Sequence, residues 1–309
     1  QLGTALAAIS LYIFGFAYSF SIGGYLEQLL YQDEIVLSND TSYQHITLTQ
    51  WRDDVRLYLN GNLQFCSIDE YRYHETLVHV ALGLHPSPEK VLVLGGGDGL
   101  AARDILKNDK VQQIDLVDLD KAMTDLAIQN PLLKKLNQNA LKDKKVRIFN
   151  QDAFKFVEKG GELYNVVIID LPDPNEVSLG KLYSVEFYKL IGKILAKDGI
   201  IITQSSSPYF ARKVYWCIGE TLKQIFPHTL PITLHVPSFG QWGFQVASRV
   251  PLDKAEPRLL RYLTALEKEK KTRYLRPALW ESLKAFDPDM SSVKVEPNNL
   301  STQYIIQYY

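Results

Sequence analysis

From residue 90 onward, short apolar runs alternate with stretches whose apolar residues recur at helical spacing. Val91–Leu94, Ile114–Leu119, Val146–Phe149, Val166–Ile169 and Gly199–Gln204 predict strands. Ala101–Lys107, Lys121–Gln129, Ser184–Ile194 and Phe210–Ile225 predict the helices between or after them. Two last strands, Thr229–Val236 and Phe244–Ala247, flank Pro237–Gly243. Such alternation predicts an α/β fold, a doubly wound and mostly parallel sheet. Upstream the period changes to two. Glu34–Ser38, Gln44–Thr49 and Val55–Leu59 read as strands, and Asn60-Gly61 as a two-residue hairpin turn. Ser67-Ile68-Asp69-Glu70 has the capping-box pattern and predicts a helix over Asp69–Leu82.

The first segment differs from both. Leu2–Leu26 contains no charged residue and carries small residues at Gly3, Ala7, Gly15, Ser19 and Gly23. As a helix it would run roughly 37 Å at about 1.5 Å per residue, enough for a bilayer core of about 30 Å. The chain opens Gln-Leu-Gly, without the Met and basic stretch of a signal sequence, and a membrane helix is predicted. The organisation is then a transmembrane helix over 1–30, a small β domain over 31–68, a Rossmann-like domain over 69–250, and an extension over 251–309 with a charged helix at Leu259–Lys271.

Composition narrows the classes. Of 309 residues, 46% are hydrophobic and 22% charged, which suits a globular chain and excludes disorder and coiled coil. Lys and Arg number 34 against 35 Asp and Glu, so nucleic acid is not the expected partner. Cys66 and Cys217 match neither a metal spacing nor a disulfide framework, and no metal is expected.

Ligands of such sheets sit at the carboxyl ends of the strands. Here successive strands end in acids: Asp98 after Gly95-Gly96-Gly97, then Asp118, Asp152, and Asp170 with Asp173. The glycine loop lacks the Lys-Ser/Thr of a phosphate loop. Asp98 would repel a pyrophosphate and attract an amine or sulfonium. Asp118, at the second strand end, can accept both ribose hydroxyls, and Asp152 can reach an adenine amino group. This spacing therefore points to an adenosine-plus-sulfonium pocket. The surplus acids Asp170 and Asp173 suit a cationic co-substrate. An aliphatic amine has a pKa of about 10.4 and must lose a proton before attacking carbon; a neighbouring carboxylate can take it. Simpler roles stay open: Asp152 as a helix cap, Asp173 as a turn residue before Pro174, Tyr73, Trp242 and Phe244 as core packing.

With these residues the sequence resembles the polyamine aminopropyltransferases, the spermidine synthase family. The matching pieces are Tyr43-Gln44, Asp69-Glu70-Tyr71-Arg72-Tyr73-His74-Glu75, Leu94 through Gly99, Asp118-Leu119-Asp120, Gln151-Asp152-Ala153, Asp170-Leu171-Pro172-Asp173-Pro174 and Gly240-Gln241-Trp242-Gly243-Phe244. The resemblance implies an S-adenosylmethionine-dependent methyltransferase-like Rossmann fold. It also implies decarboxylated S-adenosylmethionine as a co-substrate rather than a cofactor, putrescine or a similar diamine as acceptor, and spermidine and methylthioadenosine as products. Gln44, Gly95, Gly97, Asp98, Asp118, Asp152 and Ala153 would bind the donor, Asp170 would be the base, and Tyr73, His74 and Asp173 would line the acceptor path. The stretch from Asp173 to Ser184 would close over the site. A homodimer or homotetramer is implied. In one branch of the family several membrane spans precede the enzyme; Leu2–Leu26 looks like the last of them, which would place a multi-span protein in the cell membrane with its catalytic domain on the cytoplasmic side. Two departures fall on the acceptor side: Leu171-Pro172 between the two acids, and His235-Val236-Pro237 where many members have Thr-Tyr-Pro. Two other functions stay open, a methyltransferase on the same fold and a catalytically idle sensor of polyamine-pathway ligands.

Overall fold

The computed structural model describes residues 23–309. The chain divides into two compact units, with the boundary between Ile68 and Asp69.

The first unit holds an antiparallel sheet of four strands in sequence order: β1 (Glu34–Asp40), β2 (His45–Trp51), β3 (Asp54–Leu59) and β4 (Asn62–Cys66). Asn60 and Gly61 turn between β3 and β4 with φ of 51° and 78°, the left-handed pair that a two-residue hairpin requires. Ile46, Leu48, Val55, Leu57 and Phe65 form its buried face.

Residues 1–22, which carry most of the predicted Leu2–Leu26 span, lie outside the described residues. Among the described residues no helix is long and apolar enough to cross a membrane. The described end of that segment is a short helical stretch, residues 23–28, whose polar side chains are engaged by the sheet of its own unit. Glu27 Oε1 lies 2.9 Å from His45 Nε2, and Gln28 Nε2 donates to Asp33 O at 2.8 Å. The expectation of a multi-span protein in the cell membrane is corrected to this: no helix among the described residues supplies a span.

The second unit is built on a seven-stranded sheet. Five strands are parallel: β5 (Lys90–Gly95), β6 (Gln113–Asp118), β7 (Val146–Asn150), β8 (Tyr164–Asp170) and β9 (Leu195–Gln204). An antiparallel hairpin of β10 (His228–Val236) and β11 (Gly240–Ser248) adds to the β9 edge through β11. The order is β10-β11-β9-β8-β5-β6-β7. It runs outward from β5 to β7 in one direction and from β8 to β9 in the other, so the order reverses between β5 and β8. Such a switch point opens a crevice at the strand ends.

Alternate strand residues serve opposite faces. Leu92, Leu94, Val167, Ile169 and Ile201 pack with Phe187, Tyr188 and Ile191 of a helix at Val185–Ile194 and with Val214, Ile218 and Leu222 of a helix at Arg212–Lys223. Every side chain of Val91–Leu94 and of Val166–Ile169 is fully buried, as expected for parallel strands covered on both sides. Helix α1 (Glu70–Leu84) packs on β8, β9 and β10 and against the helix Glu256–Lys268. Gly83 permits that last contact, because a Cβ there would meet Leu259 and Tyr262.

The predicted capping box does not form. Asp69 precedes α1 without a side-chain cap; its carboxylate instead accepts from Ser238 N at 2.7 Å and Ser238 Oγ at 2.9 Å. Ser67 Oγ donates to Asp54, and Glu70 is drawn to buried cations. Charged partners in a buried setting outcompete a backbone amide.

Candidate active site

The glycine loop follows β5 and opens the helix α2 (Leu100–Ile105). Gly95 pairs with Asp170 across β5 and β8, at the reversal of strand order. Its φ is +87°, and a Cβ would stand 2.0 Å from the Asp170 carbonyl oxygen. Only glycine allows that approach. At Gly97 a Cβ would stand 2.4 Å from Asp118 Oδ2; without one, Gly97 N donates to that oxygen at 3.0 Å.

Three acids lie on this side. Asp118 ends β6, and its Oδ1 accepts from Asp120 N at 2.9 Å. Asp98 Oδ1 accepts from Leu100 N at 2.8 Å, while no described residue donates to its Oδ2. Burial pushes both carboxyls up to about 6, and for Asp98 the cationic His74 opposes the shift while Asp170 adds to it. Asp152 caps the helix α3 (Ala153–Lys159): its Oδ1 accepts from Phe154 N at 2.7 Å and Lys155 N at 3.3 Å. Its Oδ2 pairs with Lys181 Nζ at 2.9 Å. Burial alone would raise the Asp152 carboxyl, but Lys181 outweighs it and the net shift is downward. Ala153 is the buried first residue of α3.

Two acids lie on the other side. Asp170 ends β8, and its Oδ1 accepts from the Tyr73 hydroxyl at 2.6 Å. Its Oδ2 is turned toward the glycine loop, 3.4 Å from where a Cβ on Gly96 would stand. Tyr73 is a buried residue of α1 whose ring meets Phe244 edge-on at 5.0 Å and Phe239 at 6.4 Å. Asp173 Oδ1 accepts from Gln204 Nε2 at 3.2 Å; its Oδ2 accepts from Ser206 Oγ and Tyr309 Oη, each at 3.2 Å. Gln204 Nε2 also donates to Leu171 O and to Tyr183 Oη, each at 2.7 Å. Ser206 holds φ at 65°, in the left-handed region that a residue with a side chain seldom adopts. Burial raises both carboxyls, against the donors that bind them.

Between the two sides stands His74. It is buried, with Nδ1 2.8 Å from Glu70 Oε2. Burial disfavours its charged ring, but the Glu70 carboxylate outweighs that, with Asp98 and Asp170 adding to it, and the imidazolium pKa rises to about 9. Arg103 holds Glu70 through both guanidinium nitrogens, at 2.8 and 3.0 Å, and reaches Asp104 at 2.7 Å. The base of α1 thus carries a paired, buried chain of charges that ends in one cation facing two acids.

Of the residues singled out in the sequence, Gly95, Gly97, Asp98, Asp118, Tyr73, His74 and Asp170 meet around the reversal of strand order. Asp152 and Ala153 sit at the start of α3, linked by Lys181 to the segment that follows Asp173. Gln44 lies in the first unit, in the turn before β2, where its N donates to Thr41 Oγ1 at 3.0 Å. Gln204, Ser206, Tyr183, Tyr309 and Arg103 were not singled out, and Glu70 was read only as a capping-box and motif residue. Gln204 closes β9 just as Asp118 and Asp170 close β6 and β8, and its position at a strand end was the available signal.

Comparison with known proteins gives a consistent picture. Residues 70–254 match the family model of the spermine/spermidine synthase domain. A polyamine aminopropyltransferase of Leptospira interrogans is 47% identical over 99% of this chain and 59% of its own length. One of Oceanobacillus iheyensis is 46% identical over 92% of this chain and 54% of its own length. The chain thus spans between half and three-fifths of these curated relatives. Among solved structures, spermidine synthase in complex with the transition-state analogue AdoDATO superposes with a TM-score of 0.75 at 27% identity, covering 82% of this chain and 85% of that one. Spermidine synthase from Thermotoga maritima gives 0.71 at 25% identity, covering 82% and 84%.

Proposed function

Because the chain belongs to the spermine/spermidine synthase family, we propose that it is a polyamine aminopropyltransferase. In this reading it moves the aminopropyl group of decarboxylated S-adenosylmethionine to an amine of putrescine or a similar diamine, giving spermidine and methylthioadenosine. Residues 69–250 form the catalytic domain, of the S-adenosylmethionine-dependent methyltransferase-like Rossmann type, and 251–309 an extension of it.

The observation that carries the reading is the place of Asp170. One carboxylate oxygen accepts from Tyr73, and the other is turned toward the glycine loop. A single carboxylate therefore borders both the donor loop and the residues of the acceptor path. Asp98, with an open Oδ2, receives the ammonium of the donor's aminopropyl arm. Asp118 takes the ribose hydroxyls and Asp152 lies toward the adenine. Tyr73, His74 and Asp173 line the acceptor path, and Asp173 takes the distal ammonium of the diamine.

The chemistry is a displacement. The neutral amine nitrogen forms a bond to the carbon next to the sulfonium as the carbon–sulfur bond breaks. The electron pair leaves on sulfur, which becomes the neutral thioether of methylthioadenosine, and the proton shed by nitrogen passes to Asp170. Burial strengthens Asp170 as a base by raising its pKa. Most of the acceleration comes from aligning nitrogen, carbon and sulfur.

The test is incubation of the protein with putrescine and either the decarboxylated or the ordinary donor. Methylthioadenosine formed only with the decarboxylated donor is the expected result. A methylated amine formed from the ordinary donor would overturn the reading in favour of a methyltransferase, and donor binding without turnover would leave a sensor.

A further inference from the structure

We propose that Tyr309 belongs to the acceptor side of the site and sets which amines the protein accepts. The proposal rests on the aminopropyltransferase reading above and adds to it a residue from the far end of the described chain. The Tyr309 hydroxyl donates to Asp173 Oδ2 at 3.2 Å, beside Ser206 Oγ on the same oxygen. The bond joins residues 136 positions apart, and the placement of Tyr309 is built rather than incidental. The short helix Tyr304–Tyr308 is anchored by Ile305, which is fully buried in the same apolar cluster as Tyr183. Asn298 Nδ2 donates to Gly180 O at 2.9 Å and to Tyr183 O at 3.1 Å, while its Oδ1 accepts from Ile305 N at 3.3 Å. A Cβ on Gly180 would stand 2.9 Å from Ile306 Cδ1. The segment after Asp173 and the helix before Tyr309 therefore pack as one layer.

Two consequences follow for the acceptor. First, Asp173 is oriented by three neutral donors, of which Gln204 and Ser206 come from the end of the sheet and only Tyr309 from outside it. With Ser206 and the phenol both on Oδ2, the carboxylate is turned so that its one remaining lone pair, on Oδ1, is offered to an ammonium. Second, Tyr309 is 54% exposed while its hydroxyl reaches Asp173, so in this proposal the ring is the solvent-side neighbour of the carboxylate. There it limits how far an acceptor can extend past Asp173. Tyr309 is a positioning residue for Asp173 and a length stop for the amine.

The experiment measures KM and kcat for putrescine, cadaverine and spermidine, and KM for the decarboxylated donor, in the unaltered protein and in Tyr309→Phe and Tyr309→Ala. Tyr309→Phe keeps the ring and loses the bond; it should raise KM for putrescine about 3- to 10-fold, the scale of one lost hydrogen bond, with donor KM unchanged. Tyr309→Ala should raise the ratio of kcat/KM for spermidine over putrescine, and Tyr309→Phe should not. Equal changes in donor and acceptor KM would mean a merely structural role and would overturn the proposal, as would unchanged acceptor KM values and ratios in both variants. If the unaltered protein forms no methylthioadenosine with any of these amines, the activity itself fails and this role falls with it; turnover without the stated shifts sinks the role alone.

Discussion

The two sides of the crevice, which the proposed function assigns to donor and acceptor, hold the same chemical group by different means. Asp118 accepts from Gly97 N and Asp120 N, Asp98 from Leu100 N, and Asp152 from Phe154 N and Lys155 N. Apart from Gly97, these donors are backbone amides within three residues of the acid. Asp170 instead accepts from a phenol 97 residues away, and Asp173 from side chains 31, 33 and 136 residues away. A backbone amide is present whatever side chain its residue carries. The donor side therefore persists through sequence change, while the acceptor side can be retuned by one substitution at a distant position. The two departures from the family pattern, at Leu171-Pro172 and His235-Val236-Pro237, both fall on the side proposed for the acceptor.

The largest expected effect tests whether the two sides separate energetically. Asp170→Asn keeps the shape and the bond to Tyr73 but removes the base. We expect kcat to fall by about 10²- to 10⁴-fold, the usual worth of a positioned general base, with donor KM nearly unchanged in assays of methylthioadenosine formation. A parallel rise in donor KM would mean that Asp170 shapes the donor side as well, and the division would fail.

Asp98→Asn should act the other way. Losing a charged contact to the donor's ammonium should raise donor KM by about 10- to 100-fold, on the scale of a charge-assisted bond, with a smaller change in kcat. The same substitution should stabilise the empty protein. The folded carboxyl sits at about 6 against an ordinary 3.8. A raised acid contributes stability that is fully present below its ordinary pKa and is lost as pH rises through the folded value. The unliganded protein should thus lose stability between about pH 4 and 6, by roughly 2–3 kcal/mol at about 1.4 kcal/mol per pH unit. Asp98→Asn should remove much of that loss. Denaturant melts at pH 4.5 and pH 7 check it: no difference in pH dependence between the two proteins would show that the empty site is not strained by this charge. A cationic ligand should reverse the loss, so donor binding should tighten as pH rises through 6.

What could be read from the sequence follows the same divide. Parallel strands buried on both faces leave unbroken apolar runs, so Val91–Leu94 and Val166–Ile169 were legible, and acids at their ends mark the site. The extra length of β9, Leu195–Asp198, was not, because Lys197-Asp198 is charged and breaks the apolar run, and pairing of Leu195 with Tyr164 supplies what the residues do not. Helix α3 was legible only in the alternative that Asp152 caps a helix, because its seven residues are too few to show a period. The capping box was misread because Glu70 has a better partner in Arg103, 33 residues away. No local pattern announces that Gln204, Ser206 or Tyr309 would meet at Asp173, since each contact is a product of the fold. Leu2–Leu26 satisfies the arithmetic of a membrane span, but residues 1–22, which carry most of it, lie outside the described residues.

The smallest expected effect probes the exception on the donor side. Among the described residues Lys181 is the one side chain there that bonds a carboxylate from far along the chain, pairing with Asp152 Oδ2 across 29 residues. About a third of its side chain is exposed, where an ion pair is worth roughly 0.2–1 kcal/mol. If local amides are what hold the donor side, Lys181→Ala should change donor KM by no more than about 5-fold. The carboxylate of Asp152 would keep its two amide donors, Phe154 N and Lys155 N. Because Lys181 holds the Asp152 pKa down, its contribution to stability is present above the ordinary carboxylate range and is lost as pH falls through the depressed value. The variant should therefore lose a little stability near pH 7 and none once the pH has fallen below that depressed value. A change in donor KM of tenfold or more would mean that the donor side, too, depends on a contact made across the fold, and the contrast between the two halves would be one of degree.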